Sequence, residues 1–172
     1  MGFAEERQMA EEALTDYDLK KVAKKPFPPT ARRFLHAREA LGITRDEVKR
    51  RGGVHPGDLE YHNDEAFICE SVQDMATLAF TLNTSLMVLL FGEAPSPPLS
   101  PTSYPEIVAR LHALMTEQGI SVAQLSDKVG WELQPYLDAP DKLRELPIFG
   151  LRWICREVGI DWVTTLANVT AV

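Results

Sequence analysis

LGITRDEVKRRGGVH, residues 41–55, and QGISVAQLSDKVGWE, residues 118–132, can be laid over one another at an offset of 77. Gly42/Gly119, Ile43/Ile120, Thr44/Ser121, Val48/Leu125, Arg51/Lys128 and Gly53/Gly130 then coincide. With the offset shortened by one, VQDMATLAFTLNTS (72–85) falls over IFGLRWICREVGID (148–161). This pairs Val72/Ile148, Met75/Leu151, Leu78/Ile154, Ala79/Cys155 and Leu82/Val158. The apolar positions recur at the spacing of one helix face, so the chain carries an internal repeat of amphipathic helices.

Working outward, Thr44 with Glu47, Ser121 with Gln124 and Ser103 with Glu106 read as capping boxes that open helices. Glycines just past apolar-periodic runs close them. The pattern predicts an all-α chain of five short helices per repeat. These fall near 31–41, 44–51, 55–62, 71–82 and 84–91, then 104–117, 121–129, 132–138, 146–158 and 160–169. Between the repeats, prolines 95, 97, 98 and 101 mark a stiff linker. The reading is an N-terminal segment 1–29, a unit 30–92, a linker 93–103 and a second unit 104–172. Nothing in the sequence says what a helix within residues 3–23 would pack against.

Composition excludes several classes. No apolar run approaches a membrane span, and the first residues are charged throughout rather than signal-like, which points to a cytoplasmic protein. Cys69 and Cys155 each lie in apolar helical sequence and read as buried thiols. His36, His55, His62 and His112 have no ligand spacing, so no metal or other cofactor is expected. Phosphate loops, nucleophile elbows and paired carboxylates are missing, so no enzymatic activity is expected either.

The net charge of −7 is unevenly spread. Residues 20–51 hold eleven bases and three acids, whereas the segments on either side are acidic. A polyanion would have to meet that basic block.

The run Gly42-Ile43-Thr44, Val48, Gly53-Val54-His55, Leu59, Leu78-Ala79, Leu82 and Leu89-Leu90 resembles the helix-turn-helix family of phage repressors and Cro proteins, the xenobiotic-response-element type. It covers 31–92 and, more faintly, 104–169. The resemblance implies tandem five-helix repressor-like folds and a transcriptional regulator that binds double-stranded DNA. Contact is expected mainly through repeat one and its basic arm: Lys24, Lys25, Arg32, Arg33, Thr44, Arg45, Lys49, Arg50, Arg51, His55, Tyr61 and His62. Related repressors pair through their last helix, so a homodimer through Leu86, Met87, Leu90 and Phe91 is expected, with an intramolecular pairing of the repeats as the other geometry.

Two departures stand out. Lys49 and Arg45 in repeat one, and Ser126 and Val122 in repeat two, replace the family's Ala and Gln. The recognition positions carry Asp58 and Glu60 in one repeat and Glu132 and Asp138 in the other, which are poor base readers. Repeat two is therefore expected to have given up DNA binding. The alternative is a helix-turn-helix fold reused as a protein-interaction module through its acidic surface. Trp131, Trp153 and Trp162 fall at core positions; an exposed one would favour a protein partner.

Overall fold

The computed structural model describes residues 2–5, 7, 8, 29–53, 59 and 70–167. It is mostly helical, and the described residues contain no strand, only one isolated bridge. The order is α1 (Pro29–Leu41), α2 (Arg45–Gly52), α3 (Val72–Thr81), α4 (Leu86–Phe91), α5 (Tyr104–Gln118), α6 (Val122–Val129), α7 (Gln134–Asp138), a 3-10 segment Pro140–Glu145, α8 (Ile148–Glu157) and a second 3-10 segment, Trp162–Leu166. The helix expected near 55–62 lies outside the described residues except Leu59, which is buried.

The repeat is visible in local geometry. Thr44 and Ser121 are extended N-caps whose hydroxyls accept from the N–H three residues on, at 3.2 Å in each case. Gly53 and Gly130 close the corresponding helices at φ 75° and 77°. Each donates its N–H back four residues, Gly53 to the Lys49 carbonyl at 2.7 Å and Gly130 to the Ser126 carbonyl at 2.8 Å. A Cβ is strained at that φ, so two glycines 77 positions apart encode one turn twice.

One expected capping box forms only by half. Ser121 N–H donates to Gln124 Oε1 and Ser103 N–H to Glu106 Oε2, completing those two boxes. In α2 the Glu47 carboxylate turns away from Thr44 and accepts from Arg50 and Arg51. Charge-assisted bonds to two guanidiniums outcompete one neutral backbone N–H.

The last element of repeat two also departs from expectation. It is 3-10 rather than α-helical, running Trp162–Leu166. Thr164 Oγ1 bonds the Asp161 carbonyl at 2.7 Å and Thr165 Oγ1 the Trp162 carbonyl at 2.6 Å. Hydroxyls reaching back three residues compete with the α-helical ladder in a β-branched run. α7 starts two residues later than expected, with Pro135 in its first turn where a missing N–H costs nothing.

The helix faces meet in one continuous cluster that runs from Phe34 and Val48 through α3 and α4 to α5, α6, α8 and the terminal 3-10 segment. Equivalent positions are buried in both halves: Val48 and Leu125, Met75 and Leu151, and Leu78 and Ile154 are all fully covered. The halves touch at several places. Ser71 and Pro147 form an antiparallel bridge, with Ile148 N–H donating to the Glu70 carbonyl at 2.9 Å. The Phe91 and Trp162 rings lie 6.2 Å apart. The proline segment is tied down, since Leu99 packs on the core and Thr102 N–H donates to the Thr164 carbonyl at 3.1 Å.

Residues near the N-terminus cover this seam. Phe3 sits edge-on against Phe91 at 5.2 Å, its N–H donating to Glu93 Oε1, and Arg7 pairs with Asp161.

Candidate nucleic-acid interface

The expected contact residues fall into three groups. Lys24, Lys25, His55, Tyr61 and His62 lie outside the described residues. Arg33 and Thr44 act within the fold. Arg32, Lys49, Arg50 and Arg51 are exposed on α1 and α2, with Arg45 half-buried beside them.

Arg33 shows why a basic residue in sequence need not be a basic patch in space. Its Nε donates to the Leu89 carbonyl at 2.9 Å and its Nη2 to the Leu90 carbonyl at 2.7 Å. Those carbonyls end α4, where the helix has no backbone donors left, and a guanidinium there satisfies them and the helix dipole together. Arg38 acts similarly, with Nη1 donating to the Ile43 carbonyl at 3.0 Å across the α1–α2 turn. Thr44 is occupied as the α2 cap.

The exposed group is concentrated on α2. Arg50 reaches Glu47 with both Nε, at 2.7 Å, and Nη2, at 2.6 Å, and Arg51 joins the same carboxylate. The two guanidiniums hold the Glu47 carboxyl down at about 2. One carboxylate between two guanidiniums leaves the trio cationic, and Lys49 extends it. Across 29–53 there are seven bases and three acids, whereas the corresponding helices at 104–130 carry two bases and three acids. The same two-helix frame is therefore cationic in one repeat and slightly anionic in the other.

α2 is held lightly for a helix that presents so much charge. Val48 is its one buried apolar side chain, and Gly52 lets it approach α3: a Cβ there would stand 2.8 Å from Thr81 Oγ1. Repeat two has Val129 at that position, and α6 buries Leu125, Ser126 and Val129. Ser126, which stands where Lys49 stands in repeat one, is turned inward, and its hydroxyl accepts from Leu133 N–H at 3.0 Å. The sequence reading missed this role. A small hydroxyl residue at a buried helix position is the signal for it, because only there does it reach an orphan N–H of the next helix.

The tryptophans divide. Trp162 is buried, while Trp131 and Trp153 are half-buried and flank Phe149 at ring separations of 5.8 and 5.2 Å. Trp131 Nε1 donates to the Tyr136 hydroxyl at 3.3 Å. Gly150 seats the Trp131 ring on α8, since a Cβ would meet it at 3.1 Å.

The residues expected to pair between copies are interior to one chain: Leu86, Met87, Leu90 and Phe91 are 5, 8, 1 and 0% exposed. Phe91 meets Trp162, in the corresponding last element of repeat two, so the apolar excess of α4 is covered intramolecularly. Cys155 is buried, which pushes its thiol up to about 12, whereas Cys69 lies outside the described residues. No family model, curated protein or solved structure matches the chain.

Proposed function

We propose that the chain is a double-stranded-DNA-binding regulator of the tandem helix-turn-helix type, with contact through repeat one. The observation that supports this reading most is the set of exposed cations on α1 and α2, Arg32, Lys49, Arg50 and Arg51, with α2 capped by Thr44 and closed by Gly53. In helix-turn-helix recognition the first two helices grip phosphate while the third enters the major groove, so cations belong on those two helices. The basic arm with Lys24 and Lys25 would add phosphate contacts ahead of α1.

The test is binding of a mixed-sequence duplex at several salt concentrations by the full chain and by an Arg32→Ala/Lys49→Ala variant. Removing a cation that neutralises one phosphate should flatten the log–log salt slope by about 0.9. Absence of binding at low salt, or an unchanged slope in the variant, removes the reading.

A second reading is supported by one observation, the half-buried aromatics of repeat two. Phe149 and Trp153 occupy the positions that Gln73 and Thr77 hold on α3, so these two positions are polar in one half and aromatic in the other. Trp and Tyr concentrate binding energy at protein interfaces, and repeat two would then serve as a protein-docking module. Phe149→Gln/Trp153→Thr, which borrows repeat one's residues, should keep the fold and lose a partner recovered with the wild type.

A further inference from the structure

We infer that the two repeats form, inside one polypeptide, the two-fold paired unit that helix-turn-helix proteins assemble from two copies, and that a single chain therefore engages one asymmetric duplex site. The duplex half of this inference rests on the DNA-binding reading above; the pairing half does not.

The bridge between Ser71 and Pro147 is the central observation. Under the offset of 76 that aligns 72–85 with 148–161, these two residues are each other's counterparts. In a two-fold contact a surface meets its own equivalent, and a residue on the axis meets itself. Here the counterparts meet antiparallel, with Ile148 N–H bonded to the Glu70 carbonyl at 2.9 Å just outside the pair.

A second contact joins counterpart elements, although not counterpart residues. α4 ends repeat one and the 3-10 segment Trp162–Leu166 ends repeat two, and they meet through Phe91 and Trp162. Phe3 and Arg7 then cover the seam from outside, on Phe91 and Asp161. The apolar surface of α4 through which a second copy was expected to pair is thus already used within the chain.

The asymmetry follows from charge. One member of the pair presents the cationic α2, while the other presents α6 and, beyond it, the exposed carboxylates Glu132 and Asp138. Carboxylates facing phosphate are repelled and read few bases. The pair therefore has one gripping side, and its site on DNA has one half.

Three measurements test this on the full chain. Ser71→Cys/Pro147→Cys in a Cys69→Ser background should close an intramolecular disulfide, because counterparts flanked by such a bond lie about 4.5 Å apart between Cα atoms. A mixture of the two single variants should give no cross-linked dimer; dimers from that mixture would mean the pairing is made between copies. Sedimentation should give the mass of one chain at low and high micromolar concentration, and a dimer at either overturns the inference even if the double variant folds poorly. Selection from a pool of random-sequence duplexes should enrich one non-palindromic half-site in a complex of one chain per duplex. A palindrome with half-sites about 10 base pairs apart, or two chains per duplex, overturns the asymmetric site. If no duplex is retained, the DNA reading falls and the duplex half with it, while the cross-link and the mass still decide the pairing.

Discussion

In repeat one, α2 reads RDEVKRRG and is anchored by Val48, its caps and a glycine pressed on α3; in repeat two, α6 reads VAQLSDKV and is anchored by three buried residues. The turns that bracket them are nearly superposable in φ. The frame thus depends on the glycines, the cap hydroxyls and one apolar position, and the remaining side chains of the helix are open to other work. Repeat one uses that freedom for charge on the outer surface. Repeat two uses it for packing, including Ser126, which secures the start of α7.

The sharpest way to break the comparison is through the shared core. Leu78 and Ile154 are counterparts and both fully buried, so Leu78→Ala and Ile154→Ala should each cost roughly 2–5 kcal/mol. Because one cluster spans both halves, each should lower the same denaturant transition. Two separable transitions, each sensitive to one substitution, would show that the halves unfold independently.

Arg33 and its counterpart Arg110 should differ next most. Arg33 satisfies two carbonyls at the end of α4, and Arg33→Ala should cost about 1.5–3 kcal/mol. Arg110 lies exposed along a shallow groove of about 300 Å³ with Glu106 and Ile160, and Arg110→Ala should stay within about 0.5 kcal/mol. Equal losses in paired thermal melts would contradict the distinct roles.

A smaller effect separates Lys49 from Ser126. Ser126→Ala leaves Leu133 N–H without its acceptor and should cost about 1 kcal/mol. Lys49→Ala should leave stability within about 0.5 kcal/mol while weakening duplex binding. The reverse pattern would exchange the two assignments.

The least effect in the native pH range is that of Glu47. Its carboxyl is depressed in the folded chain to about 2 from the ordinary 4.5, so its contribution is fully present above the ordinary value and is lost as pH falls from there toward 2. A carboxyl titration followed by NMR should place the Glu47 midpoint near 2. In the Arg50→Ala/Arg51→Ala variant it should return toward the ordinary value, and a midpoint that stays low would assign the shift to another cause. α6 has Gln124 at this position, which does not titrate.

Helix identity was largely legible, because it rests on local signals that survive in a single sequence: apolar spacing, cap hydroxyls and left-handed glycines. The site was legible only as a charge block. Arg32 and Arg33 are neighbours with the same side chain, yet one is exposed and the other closes the end of a helix 56 residues away. No local rule separates them. The Thr44–Glu47 box failed for a similar reason: the motif was present, but Arg50 and Arg51 competed for the same carboxylate.

By itself, then, the sequence determined the helical period, the two equivalent turns and the uneven charge, since each depends on residues within one or two helical turns of one another. The contact of Phe91 with Trp162, the bridge of Ser71 to Pro147 and the seating of Phe3 and Arg7 across the seam were decided only by tertiary structure. Every apolar residue of α4 but Val88 is buried within the chain, and no pattern local to 86–91 says that Phe91 would meet a ring from the other half. The end of the linker is fixed on that other half, where Thr102 bonds Thr164.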